Sequence, residues 1–202
     1  MENKKKTYLA LGDSYTIGTS IAFSDNFPNQ LADGIRKKID TDVEVRIIAQ
    51  NAWRTDDLQR GIKRADLEER YDLVSLLIGV NNQYQGLPLE DFENDFRNLV
   101  ETAIQYSGGE KNHIFVVSIP NYGYTPFGKD KKIQTTSELK IFNTSIQVIC
   151  EEQKIDFYNV TDISLEAEIK EEYRAKDDLH PSGEQYAVWV SSFLENVIEK
   201  LQ

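Results

Sequence analysis

At 202 residues, with 40% hydrophobic and 28% charged side chains, the chain can bury a substantial core and has no composition typical of disorder. Its formal net charge of −11 disfavours nucleic acid and anionic membranes as partners, because neutralising phosphate requires clustered Lys and Arg. No apolar run approaches the ~18 residues that a transmembrane helix needs. We therefore expect one globular domain over residues 1–202, without a membrane span.

The start of the chain carries little that suggests export. The apolar run after Lys4-Lys5-Lys6 is too short for the core of a signal peptide and ends at Gly12-Asp13. The single cysteine, Cys150, excludes an intramolecular disulfide, which suits a reducing compartment. These features predict a cytoplasmic protein, unless an export signal is missing from the sequence.

Short apolar runs alternate with longer amphipathic runs along the chain. The predicted strands are Tyr8–Leu11, Val43–Ala49, Leu73–Ile78, Ile114–Ile119 and Ile155–Tyr158. The predicted helices cover 27–39, 56–69, 89–106, 135–153 and 182–201. This alternation predicts a three-layer α/β/α sandwich around a mostly parallel five-stranded sheet. We expect a flavodoxin-like strand order 2-1-3-4-5, in which ligands bind at the carboxyl ends of the strands where the order reverses.

Small, polar or chemically capable residues follow these strands or precede the last helix. Each segment alone is as typical of an ordinary turn, so their common location at one edge of the sheet is what makes them candidates. The segments are Gly12-Asp13-Ser14, Gln50–Asp56, Gly79-Val80-Asn81-Asn82, Pro120–Tyr124 and Asp177-Asp178-Leu179-His180.

The chain has two histidines, and they differ in position. His113 lies at the start of the fourth strand, away from the candidate edge, and we expect it at the surface. His180 follows Asp177 by three residues, a spacing that places a carboxylate on one ring nitrogen and leaves the other free to face Ser14. Asp178 is the alternative acid. Alone, this segment would be a polar start of a helix; together with Ser14 it indicates an acyl-transfer site.

A serine that attacks a carbonyl also requires hydrogen-bond donors for the developing oxyanion. The backbone N–H groups of Ser14 and Ala52 and the side-chain amide of Asn81 are candidates, because they follow three neighbouring strands in the order 2-1-3. Asp13 is expected to accept hydrogen bonds from backbone N–H groups in its loop.

Together these segments resemble the SGNH (GDSL-type) serine hydrolase superfamily of esterases and lipases. That family has a GDS serine after the first strand, a glycine after the second, a GxN asparagine after the third and DxxH near the C-terminus. Gly12-Asp13-Ser14, Gly79-Val80-Asn81 and Asp177-Asp178-Leu179-His180 match three of these blocks in order. In the second block Ala52 replaces the glycine, which keeps the N–H but costs about 1 kcal/mol if a left-handed backbone is required.

The resemblance implies a carboxylic ester hydrolase that uses no metal or organic cofactor and acts on a small-molecule ester. Ser14 would attack the carbonyl, His180 would act as general base and then general acid, and Asp177 would orient the imidazolium. Ser14 N–H, Ala52 N–H and the Asn81 amide would hold the oxyanion. The candidate substrate-binding residues, all in loops at the same edge of the sheet, are Trp53, Tyr84, Tyr122 and Tyr124.

Two other functions are compatible with the sequence. One is a protein of the same fold with impaired catalysis or with activity redirected to binding or acyl transfer, which only Ala52 favours. The other is a flavodoxin-like nucleotide-binding module with residues 12–20 as a phosphate loop. This loop has neither a GxGxxG nor a P-loop pattern, and Asp13 would repel phosphate. Acetylated sugars, lysophospholipids, thioesters and aryl esters all remain candidate substrates, and the oligomeric state is not indicated.

Overall fold

A five-stranded parallel sheet lies at the centre of the protein, whose structure, a computed structural model, describes residues 5–201. Its order, β2-β1-β3-β4-β5, confirms the predicted flavodoxin-like topology, and every neighbouring pair is parallel. The order reverses between β1 and β3, so the carboxyl ends of these strands form the edge where ligands are expected. The strands are β1 (Lys6–Gly12), β2 (Val43–Ala49), β3 (Leu73–Leu77), β4 (Ile114–Val117) and β5 (Asp156–Tyr158).

Helices cover both faces of the sheet. α2 packs against α8 on one face, and α3, α5 and α6 pack side by side on the other. This confirms the three-layer α/β/α sandwich. The helices are α1 (Ser14–Ile17), α2 (Phe27–Ile39), α3 (Thr55–Arg64), α4 (Val80–Tyr84), α5 (Leu89–Tyr106), α6 (Lys132–Gln153), α7 (Thr161–Leu165) and α8 (Gly183–Glu199). Within residues 5–201, none of them has the length and apolar character needed to cross a bilayer.

The central strands β1 and β3 are mostly apolar because helices cover them on both sides. All five residues of β3 are buried, and Ser75 within it shares a 2.7 Å hydrogen bond with the Tyr8 hydroxyl of β1. This pairing satisfies two polar groups that would otherwise be costly to bury. The edge strands β2 and β5 are partly exposed. The core therefore fixes β1 and β3, which carry the candidate edge.

The predicted helix over 56–69 ends earlier, at Arg64. Ala65 adopts an extended backbone, and its N–H closes the last turn on the carbonyls of Gly61 and Ile62. The segment that follows is held as a loop by Tyr71, whose hydroxyl accepts the N–H of Glu68. A charged, helix-favouring sequence is overridden here by the burial of Tyr71, whose ring lies 6.3 Å from the Tyr106 ring, centroid to centroid. The other long helices start or end within three residues of their predicted bounds.

Candidate active site

Ser14 lies at the first turn after the central strand. β1 ends at Gly12, and α1 begins at Ser14 with Asp13 as its N-cap. Asp13 Oδ1 accepts the Tyr15 N–H at 3.0 Å, as the sequence predicts for this carboxyl. Gly12 is required because a Cβ there would lie 2.4 Å from the carbonyl oxygen of Leu77. The close approach of β1 to β3 thus fixes where Ser14 stands.

Asp13 is fully buried behind Ser14. Burial raises the pKa of this carboxyl from its ordinary 3.8 to about 7, although the Tyr15 N–H opposes the rise. Its second oxygen, Oδ2, has no hydrogen-bond partner among residues 5–201. Asp13 therefore supports the turn that carries Ser14, and it does so in the protonated form over much of the acidic range.

Asp177 and His180 form a close pair in the loop before α8. Asp177 Oδ2 lies 2.7 Å from His180 Nδ1, while Oδ1 accepts the N–H groups of Leu179 (3.0 Å) and His180 (2.9 Å). The His180 ring packs against Tyr15, with centroids 5.4 Å apart, and its side chain is 12% exposed. Asp178 turns away, its Oδ1 lying 4.0 Å from Arg174 Nη1. The three-residue spacing thus brings Asp177, rather than Asp178, to the imidazole.

The Asp177 carboxyl is ionised at neutral pH. Partial burial would raise its pKa, but hydrogen bonds from Ser20 Oγ, from the backbone and ring of His180 and from Leu179 N–H lower it to about 2. An ionised carboxylate can only accept, so His180 Nδ1 carries the hydrogen in this pair and Nε2 is free to take a proton. The loop thus presents an imidazole in the tautomer that a general base requires.

Ala52 and Asn81 reach the same place from the ends of β2 and β3. The Asn81 amide donates to the Trp53 carbonyl at 2.9 Å, which fixes its direction and leaves a second N–H for another acceptor. Gly79, just before α4, has φ +125°, and a Cβ there would lie 2.6 Å from the Phe92 ring. Ala52 has φ +64°, in the left-handed region that favours glycine. Ala52 thus adopts the left-handed conformation that is costly for alanine and free for glycine.

One cavity of about 230 Å³ joins these residues. Asp177 is behind it, on the far side of the His180 ring. Tyr84 and Tyr122 contribute to its wall, as expected from the sequence. The lining residues are Ser14, Tyr15, Asn51, Ala52, Val80, Asn81, Tyr84, Tyr122, Phe127, Leu179 and His180.

Two of the aromatic residues expected to bind substrate lie elsewhere. The Trp53 ring covers α3, where a Cβ on Gly61 would lie 2.2 Å from its Cη2. The Tyr124 ring lies under the Lys132 ammonium, 3.9 Å from the ring centroid. Both belong to the predicted loops, but the backbone directs their rings away from the cavity. Position in a loop predicts the edge of the sheet, not the direction of each side chain.

Several residues at this site are absent from the sequence-based candidates. Tyr15 directly follows the GDS segment and Leu179 lies inside the DxxH segment, so their positions next to Ser14 and His180 were a usable signal. Asn51 belongs to the candidate segment Gln50–Asp56 but has no predicted role, and Ser20 lies in an irregular segment where no period or motif indicates its contact with Asp177. The positions of Asn51 and Ser20 in the site depend on how loops that are distant in sequence pack against each other.

Solved structures with the same fold include several esterases and lipases. A lipase from a goat rumen metagenome aligns with a TM-score of 0.80 at 14% identity, covering 98% of this chain and 100% of its own. An acetylxylan esterase from Geobacillus stearothermophilus aligns with a TM-score of 0.71 at 20% identity, covering 98% and 96%. A lipolytic protein of the G-D-S-L family from Veillonella parvula DSM 2008 gives 0.74 at 14%, covering 94% and 96%. At these identities the likeness establishes the fold.

The sequence itself supplies the family. No curated protein sequence matches the chain significantly. The sequence model of the GDSL-like lipase/acylhydrolase family matches residues 10–188, which include every segment described above and most of the chain. This chain therefore belongs to the GDSL-like lipase/acylhydrolase family.

Proposed function

We propose that this carboxylic ester hydrolase cleaves small-molecule acyl esters through Ser14, His180 and Asp177. The observation that carries the proposal is the Asp177–His180 contact of 2.7 Å at the wall of the cavity that Ser14 also lines. A buried serine hydroxyl, a histidine with a free Nε2 and an ionised carboxylate behind it are the three groups that acyl transfer by a serine requires.

The reaction proceeds in two halves. Ser14 Oγ attacks the ester carbonyl while His180 Nε2 takes its proton, and Asp177 stabilises the imidazolium that forms. The oxyanion accepts hydrogen bonds from the N–H groups of Ser14 and Ala52 and from the free N–H of the Asn81 amide. The C–O bond then breaks, and His180 returns the proton to the leaving alcohol. Water then attacks the acyl-enzyme and gives a proton to His180 Nε2. The bond to Ser14 Oγ breaks, Ser14 Oγ takes that proton back, and the carboxylic acid is released.

The size and wall of the cavity favour short acyl groups. Its volume of about 230 Å³ is small for a ligand pocket, below the usual range of about 300–1,000 Å³. Three aromatic rings close one side: Tyr84 lies 6.0 Å from Tyr122 and 6.3 Å from Phe127, centroid to centroid. Among the candidate substrates, we therefore favour esters of short acyl groups.

The test compares wild type with Ser14→Ala on p-nitrophenyl acetate, butyrate and octanoate. Removing the nucleophile is expected to lower kcat by about a thousandfold or more, as it does in other serine hydrolases. A fluorophosphonate should label wild type at Ser14 and leave the variant unmodified. Ser24→Ala is the control, because this exposed hydroxyl donates to its neighbour Asp25 at 2.9 Å and does not line the cavity.

Equal rates in wild type and Ser14→Ala, with unchanged circular dichroism, would contradict the proposal. A wild type that is folded, inert and unlabelled would instead favour the catalytically impaired alternative.

A further inference from the structure

The Asp177 carboxylate is not fixed by packing. Its side chain is 29% exposed, so water reaches it and its direction depends on its hydrogen bonds. Four are recorded: Leu179 N–H and His180 N–H on Oδ1, and Ser20 Oγ and His180 Nδ1 on Oδ2. These hydrogen bonds restrict the orientation of the carboxylate relative to the imidazole.

Three of these bonds arise within the loop itself. Leu179 and His180 lie two and three residues after Asp177, so their donors move together with the carboxylate and cannot anchor the loop to the rest of the protein. Ser20 lies 157 residues away in the sequence and donates to Oδ2 at 2.6 Å. Among residues 5–201, Ser20 supplies the one hydrogen bond that holds this carboxylate from outside its loop.

The segment that carries Ser20 also contacts the other parts of the site. The N–H groups of Gly18 and Thr19 donate to the Ser14 carbonyl at 3.1 and 3.2 Å. The Thr19 hydroxyl donates to Asn51 Oδ1, next to Ala52. Residues 18–20 therefore contact the turn of Ser14, the loop of Ala52 and the loop of His180.

The backbone conformation of Ser20 indicates that serine occupies this position because of its hydroxyl. Ser20 has φ +68°, a left-handed conformation that glycine adopts without cost and other residues adopt with strain. A glycine would be the more stable choice at an exposed turn. Serine at this position is less stable in its backbone conformation than glycine would be, but it supplies a donor to Asp177 Oδ2, the oxygen that contacts His180.

We propose that Ser20 is a positioning residue that holds Asp177 against His180 and so keeps the imidazole directed at Ser14; this rests on the function proposed above. Ser20 does not touch the reacting atoms. It acts through Asp177, and its contribution belongs to the rate of the chemical step rather than to substrate binding.

The experiment measures kcat and KM for p-nitrophenyl butyrate in two variants that differ in stability. Ser20→Ala keeps the strained backbone and removes the hydroxyl, whereas Ser20→Gly removes the hydroxyl and relieves the strain. Both are expected to lower kcat by about fivefold, since a hydrogen bond to a charged group is lost, with KM changed less than twofold. Ser24→Ala, which removes a hydroxyl-to-carboxylate bond four residues further along the chain, should match wild type.

A structural role would give a different pattern. If Ser20 only stabilised the fold, Ser20→Gly would melt at or above the wild-type temperature and keep full activity. If it acts through Asp177, Ser20→Ala should have no further effect on kcat in an Asp177→Asn background. The downfield Nδ1–H proton signal of His180 should also broaden in both Ser20 variants, because a loosened carboxylate exposes it to exchange. The chain has only one other histidine, His113, so the signal is readily assigned.

The outcomes separate this inference from the proposed function. Values of kcat within twofold of wild type in both Ser20 variants, with Ser14→Ala inactive and Asp177→Asn slower than wild type by orders of magnitude but still measurable, would overturn the role of Ser20 and leave the mechanism standing. Activity that survives both Ser14→Ala and Asp177→Asn would overturn the mechanism itself.

Discussion

Ala52 shows how a single residue departs from its family pattern without losing the donor that the pattern supplies. Its backbone has φ +64°, so the loop adopts the left-handed conformation that a glycine would adopt freely. The N–H is retained, and Ala52 is one of the residues that line the cavity. The departure therefore costs stability and space, while the direction of the N–H is set by the same backbone conformation that glycine would give.

Ala52→Gly should relieve this strain. We expect the free energy of unfolding to rise by up to about 1 kcal/mol, because glycine lacks the Cβ penalty but gains freedom in the unfolded chain. Hydrolysis of short esters should continue, since the N–H remains. Urea unfolding gives the first quantity and p-nitrophenyl acetate the second. Ala22→Gly is the matched control: Ala22 is also exposed but has φ −67°, so this change should destabilise. A loss of stability in Ala52→Gly would contradict the strain argument.

The residues of the candidate site differ in how far the sequence could predict them. Ser14, Asn81, Asp177 and His180 belong to short segments whose order and spacing are informative, and the structure brings Ser14, Asn81 and His180 to one cavity with Asp177 behind it. Ser20 carries no such signal, because its contact with Asp177 depends on the meeting of two irregular loops. The sequence shows that the backbone angle φ of Ala52 matters but does not predict its value, since that value also depends on how irregular loops pack together.

At the scale of elements, α4 and the loop over 120–128 together determine the extent of the cavity. Tyr84 at the end of α4 is 58% exposed, and Phe127 of the loop is 53% exposed. Beyond them lies a second cavity of about 460 Å³ that the same rings, with Tyr122, also line. The loop is joined to the DxxH segment by a 3.2 Å hydrogen bond from Phe127 N–H to the Asp178 carbonyl. The two cavities thus share the side chains of Tyr84, Tyr122 and Phe127 in their walls.

Removing a ring should therefore change the preferred acyl length. In Tyr84→Ala and Phe127→Ala we expect kcat/KM for p-nitrophenyl octanoate, relative to acetate, to rise by about tenfold, since each buried methylene contributes about 0.8 kcal/mol. The measurement is kcat/KM across a series from acetate to octanoate. Ile133→Ala on α6 is the control, because Ile133 is 85% exposed and does not line either cavity. An unchanged ratio in both variants would mean that the acyl group does not lie against these rings.

The type of an element, helix or strand, was predictable where the segment is long enough to show a hydrophobic period. The long helices and the parallel strands follow from runs of apolar residues with spacing typical of each. α1, α4 and α7 have four or five residues, too few to show a helical period, yet α1 and α4 carry Ser14 and Asn81. The elements that position the site were thus the least visible in the sequence, and only the segments Gly12-Asp13-Ser14 and Gly79-Val80-Asn81 pointed to them.

At the scale of the whole molecule, stability depends on a carboxyl buried beneath the site. Asp13 has its pKa raised to about 7 by burial, whereas an Asp in the unfolded chain titrates near 3.8. Between these values the folded protein holds a proton that the unfolded chain has released, so stability falls as pH rises. Asp177 acts in the opposite direction: its pKa of about 2 adds stability above 3.8 that is lost only as pH falls toward 2. The net charge of −11 adds repulsion as pH rises, but it acts throughout the molecule.

Asp13→Asn isolates the buried carboxyl from this general repulsion. Asparagine keeps an oxygen to cap α1 and removes the titration, so the variant should lose less stability than wild type between pH 4.5 and 7. The slopes of unfolding free energy against pH should differ between the two proteins by at most about 1.4 kcal/mol per pH unit, the value for one proton that the folded state holds and the unfolded chain does not. Urea unfolding at half-unit intervals of pH gives both curves, and Asp33→Asn, an exposed carboxyl on α2, is the control. Parallel curves for wild type and Asp13→Asn would mean that Asp13 is ionised in the folded protein across this range. The turn beneath Ser14 would then hold a buried negative charge, and the loss of stability with rising pH would have to come from the surface.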